Sequence, residues 1–107
     1  MPKFMYSGSY TAKGAAGVLK EGATARRDEA ARIAESMGGS LEAYDWCYGE
    51  KDFMCIMDVP DQVKITAFAL EVGASGVFNG KLTPLITVEE MDEITSVKLG
   101  DFTLPGQ

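Results

Sequence analysis

The sequence predicts a single α+β domain over residues 1–107: a ferredoxin-like βαββαβ antiparallel sheet with helices on one face, plus a C-terminal helix. Three observations predict it. Segments that alternate with period 2 and segments with an apolar stripe at helical spacing follow each other as strand, helix, strand, strand, helix, strand. Glycine and proline clusters separate them, and 107 residues leave room for one core of ordinary size.

Residues 3–11 open the chain as a strand, with Phe4, Tyr6, Gly8 and Tyr10 on one side and Met5, Ser7 and Ser9 on the other. Thr11 is placed to cap a short helix over residues 12–19 that Gly14 and Gly17 weaken and Gly22 ends. From Thr24 the stripe Arg26, Ala30, Ile33, Ala34, Met37 defines a second, alanine-rich helical stretch, which stops at Gly38-Gly39. Residues 41–48 and 53–59 read as a hairpin about Gly49-Glu50-Lys51-Asp52. Pro60 suits a first helical turn, and Val63, Ala67 and Leu70, with Phe68 and Val72, give the next stripe, ending in Gly73 to Gly76. Residues 77–86 form the last strand, which Pro84 confines to an edge or strand end. Thr87-Val88-Glu89-Glu90 is a capping box that opens a helix through about Leu99.

Composition narrows the chemistry. The net charge of −6 repels phosphate backbones, so no nucleic-acid partner is expected. Arg26 and Arg27 form the one basic pair, and near a helix N-terminus they could hold an anion, although solvated arginines are commoner. No apolar run approaches a membrane span, and MPKFMYSGSY lacks the apolar core of a signal peptide; a cytoplasmic location is expected. With no histidine, His-based catalytic triads and His-based zinc or haem sites are excluded. Two cysteines are too few for a cysteine-only metal site, and neither metal nor cofactor is expected.

Trp46 to Asp61, WCYGEKDFMCIMDVPD, concentrates the aromatic, sulfur and acidic residues. Symmetric pairing about Glu50-Lys51 sets Tyr48 opposite Phe53, Trp46 opposite Cys55 and Tyr44 opposite Met57, all on one face. Leu41, Ala43, Asp45, Cys47, Met54, Ile56 and Asp58 take the other. The smaller residues are expected to meet the alanine-rich helices and the aromatic set to face outwards. Tyr44, Trp46, Tyr48 and Phe53 are therefore expected at a homo-oligomer interface, with a ligand pocket beside it as the alternative. Tyr6 and Tyr10 join them as binding or interface candidates.

This register puts Cys47 and Cys55 on opposite faces, which excludes a disulfide between them, and both read as buried small hydrophobes. No catalytic group is identified. Asp52 is a candidate general base, but a turn aspartate more often accepts backbone N–H bonds. Asp45 and Asp58 become acid–base candidates only if they face inwards. The glycines of GSYTAKGAAGVLKEG lack the spacing of a phosphate loop.

Together SGSYTAKGAAGVLKEG, ARRDEAARIAESMGGSLEAYDW, YGEKDFMCIMDVPD and KLTPLIT resemble the GYD domain family over about residues 3–92. The family is named for a Gly-Tyr-Asp triplet in the hairpin. Here Gly49 and Asp52 flank Glu50-Lys51, so the tyrosine is unmatched while the hairpin glycine and aspartate remain. The resemblance implies a small bacterial or archaeal α+β protein that forms oligomers and has no established activity. Three readings follow: a homo-oligomeric binding or accessory domain for a small, partly aromatic molecule; a cofactor-independent oxygenase or isomerase of the dimeric α/β-barrel kind; and a purely structural assembly subunit.

Overall fold

The computed structural model describes residues 2–107. They are ordered as β1 (Lys3–Tyr10), α1 (Ala12–Glu21), α2 (Ala23–Ser36), β2 (Ser40–Trp46), β3 (Phe53–Asp58), α3 (Gln62–Ser75), β4 (Phe78–Leu85) and α4 (Val88–Ser96). Among the described residues the fold is α+β, with one four-stranded antiparallel sheet in the order β2-β3-β1-β4 and four helices.

Helix starts follow the side chains that can cap them. The Thr11 hydroxyl accepts from the Gly14 N–H, and the Asp61 carboxylate accepts from Val63 and Lys64. Thr87 and Glu90 make the reciprocal capping box expected of them. Pro60 precedes Asp61 and lies outside α3. Gly76 ends α3 in the left-handed conformation, and Pro84 lies in β4, an edge strand. Helix α4 stops at Ser96, short of Leu99, and none of its residues is buried, so little packing supports a further turn.

The core lies between one sheet face and helices α2 and α3. Phe4 and Tyr6 from β1 and Phe53, Cys55 and Met57 from β3 meet Ala30, Ala34 and Met37 of α2 and Ile65 of α3. This reverses the expected orientation: the aromatic face is the one that the helices cover. Tyr6 and Phe53 are 3% and 2% exposed, and Tyr44 packs on the same core. The physical reason is complementarity of size. Alanines on α2 leave depth above the sheet, and large rings fill it better than small residues do.

The observed register shifts the hairpin by two residues, setting Trp46 opposite Phe53 and Tyr44 opposite Cys55. Parity survives, so Tyr44, Trp46, Phe53, Cys55 and Met57 share a face as expected, but Tyr48 falls beyond β2 and is fully exposed. Leu41 also changes face. A bulge at Glu42 places it opposite Met57, against the core. In α3 the inward residues are Ile65, Phe68, Ala69 and Val72, whereas Val63 and Leu70 point to solvent.

The opposite sheet face carries Met5, Ser7, Met54, Ile56 and Thr83, and among the described residues no helix packs on it. Lys3 and Glu42 form an ion pair of 3.0 Å at its end. No helix of the described residues is long and apolar enough to cross a membrane.

Candidate ligand cleft

Tyr10, the last residue of β1, is the point on which the site is assembled. Its ring stacks on Phe53 with centroids 5.2 Å apart, and Phe53 in turn lies nearly parallel to Tyr44 at 5.8 Å. Phe78 meets Phe53 edge-on at 5.0 Å, completing an aromatic floor contributed by all four strands. Trp46 packs against Tyr44 and donates its Nε1–H to the Tyr10 hydroxyl across 3.0 Å.

The turn of residues 47–52 holds Tyr10 in place. Asp52 accepts the Tyr10 backbone N–H on Oδ2 at 2.8 Å, while its own N–H donates to the Gly8 carbonyl at 2.8 Å. Ser9 Oγ donates to the Glu50 carbonyl at 2.7 Å. Gly49 permits the reversal with a φ of 102°, a conformation that L side chains resist. Asp52 thus performs the backbone-binding role weighed for it, and its carboxylate positions Tyr10.

Two cavities adjoin this floor. An outer cleft of about 110 Å³ lies under α1, lined by Tyr10, Lys13, Gly17, Glu21, Arg26 and Phe78, among others. An inner cavity of about 60 Å³ lies between α2, α3 and the sheet, and Arg26 and Phe78 also line it. Arg26 therefore stands at the shared wall, its guanidinium paired with Glu21 at 3.2 Å. Thr11 fixes the roof: its hydroxyl donates to the Gly76 carbonyl at 2.6 Å and so ties the start of α1 to the end of α3.

Burial shapes the chemistry of the floor. It raises the Tyr44 hydroxyl far above its ordinary pKa, reinforced by the neighbouring Tyr10, with Arg26 opposing. Tyr6 is raised for the same reason, and the buried Cys55 thiol is pushed up to about 11. All three stay protonated at neutral pH, so the floor presents neutral rings and the mouth presents Lys13, Arg26 and Glu21.

Of the residues singled out from sequence, Tyr6, Tyr10, Tyr44, Trp46 and Phe53 come together on this one face, and Tyr48 meets Tyr10, Trp46 and Asp52 only in an open groove outside the cleft. Cys47 is exposed and free, contrary to its expected burial, because β2 ends before it. Asp45 is exposed and Asp58 lies on the open sheet face, away from the cleft. Sequence reasoning missed Lys13 and Phe78. It weighed Arg26 with Arg27 as an anion holder but ranked the solvated reading higher, although an arginine inside the apolar stripe of α2 was the available signal. Among the described residues no group of three or more acidic or sulfur ligands could hold a metal.

The family model of the GYD domain matches residues 4–95 of the 107-residue chain. No curated protein and no solved structure matches.

Proposed function

Starting from the fact that the chain belongs to the GYD domain family, we propose that it is a homo-oligomeric binding domain for a small aromatic acid. The observation that carries this reading is the position of Arg26 at the wall between two cavities above an aromatic floor. A ring can enter the outer cleft: its volume of about 110 Å³ approaches the ~150 Å³ of an apolar cavity that accepts benzene, and its open mouth leaves the polar end of a ligand in solvent. The carboxylate of such a ligand would replace Glu21 on the Arg26 guanidinium and draw on Lys13 at the mouth. No cofactor enters this reading.

The sheet order β2-β3-β1-β4 supports a ferredoxin-like classification. The uncovered face of that sheet supports self-association. Free Cys47 and Cys55 suit a reducing cytoplasm, as in a bacterial cell.

Trp46 is the single tryptophan and touches Tyr10, so its fluorescence reports on the cleft. Titration with benzoate and salicylate is expected to give a saturable change, weakened about tenfold or more in Arg26→Gln, which removes the charge and keeps a shorter polar side chain. Benzyl alcohol, lacking the carboxylate, is expected to bind the wild type no better than benzoate binds the variant. A response without saturation, or one indifferent to Arg26→Gln, would refute the assignment.

A further inference from the structure

We propose that residues 86–104 form an arm that docks on the open sheet face of a second copy of this chain. Two unpartnered apolar surfaces occur in the same molecule. One is the sheet face with Met5, Met54 and Ile56 at its centre. The other is the arm, where Val88, Met91 and Ile94 form one side of α4 and are 75%, 48% and 47% exposed, followed by exposed Val97, Leu99 and Phe102.

The exposed area is more than enough for a stable dimer. A folded monomer of 11.5 kDa exposes about 5,800 Å², whereas this chain exposes 7419 Å². The excess of about 1,600 Å² exceeds the ~800 Å² that each partner contributes to a standard interface. The radius of gyration agrees, at 17.2 Å against about 13 Å for a compact chain of this length.

The arm starts beside its own sheet face without covering it, since Val88, Met91 and Ile94 all stay exposed. Only Ile86 and Thr87 separate β4 from α4, and the capping box fixes the first turn of the helix: the Thr87 N–H donates to Glu90 Oε1 and the Glu90 N–H to Thr87 Oγ1, each at 3.1 Å. A second copy can supply the cover that the arm does not give its own face. Leu85, Ile86 and Val88 form a continuous groove with Ile56, so the arm's apolar side runs directly into the open face, while the outer side of α3 lies across the sheet. Two copies related by a twofold axis would each cover the other's face.

This inference rests on the homo-oligomer reading, and the test separates the two. The masses of the full chain, of Met91→Glu/Ile94→Glu in the arm and of Ile56→Glu on the face are measured by light scattering at about 10 µM, a concentration at which a stable interface stays formed. Circular dichroism checks that each is folded; if Ile56→Glu is not, Thr83→Arg on the same face replaces it. The expected result is a wild-type dimer and two monomeric variants that re-associate when mixed, because the mixed pair retains one intact arm and one intact face. A control, Leu70→Glu on the outer side of α3, keeps the dimer mass. A wild-type monomer overturns the oligomer reading and the arm together. A dimer that survives the arm variant, variants that fail to re-associate, or a monomeric Leu70→Glu overturns the arm's docking site while leaving self-association in place.

Discussion

The indole of Trp46 donates to the hydroxyl of Tyr10 across 3.0 Å, which joins the end of edge strand β2 to the end of central strand β1. These strands are not neighbours, since β3 lies between them, so the bond spans the aromatic floor over Phe53. Trp46→Phe and Tyr10→Phe should each destabilise the fold modestly, with a coupling of about 0.5–1.5 kcal/mol in the double-mutant cycle. Urea denaturation of the four proteins measures it, and zero coupling would mean that the bond is not formed in solution.

Asp52 distinguishes a structural from a chemical carboxylate. Its Oδ2 satisfies the Tyr10 N–H, so Asp52→Ala should cost about 1–3 kcal/mol by leaving that donor unpaired. Asp52→Asn keeps an acceptor oxygen at the same place and should cost under about 1 kcal/mol. Equal losses in the two variants, read from urea midpoints, would contradict the backbone-binding role.

The two thiols should respond differently to reagent and to pH. Cys47 is exposed and Cys55 is buried, so a thiol reagent is expected to label one cysteine in the native protein and both in denaturant. Cys55 is raised from an ordinary 9.0 to about 11, and the buried tyrosines Tyr6 and Tyr44 are raised from 10.0. In each case the unfolded chain loses its proton first, so stability is full below pH 9 and falls as pH rises above it. Melting temperatures measured from pH 7 upwards should show that decline, and Cys55→Ala should reduce its onset near pH 9.

Gly80 on β4 faces the ring of Tyr6, and a β-carbon there would fall on the tyrosine hydroxyl. Gly80→Ala must displace a nearly buried side chain, at an expected cost of about 1–3 kcal/mol. Gly80→Ala combined with Tyr6→Phe should recover part of that loss, which thermal unfolding of the three variants would reveal.

The elements and their order were legible in the sequence because alternation, stripes and caps are local signals: Thr11, the pairing of Thr87 with Glu90, and the Ala30, Ile33, Ala34, Met37 stripe all act within their own element. The choice of covered face was not local. Phe53 and Tyr6 could face either way until the depth left by the alanines of α2 was known, and Leu41 could be placed only once the Glu42 bulge was seen. The aromatic half of the cleft was therefore named from sequence with its setting reversed. Its polar half depends on Lys13 and Arg26 meeting across a helix junction at Gly22, where no short-range pattern records the approach.

The central position of β1 has a consequence for the order of biosynthesis. It leaves the ribosome before both strands that flank it, β3 and β4, and its pairing from Lys3 with Leu85 to Tyr10 with Phe78 waits for residues made roughly seventy to eighty positions later. Until β4 emerges, one edge of β1 is an unpaired strand in a nascent chain. Emergence of β4 is thus the step that closes the sheet, and a chain interrupted before Phe78 would leave the ribosome with its central strand open to a neighbour.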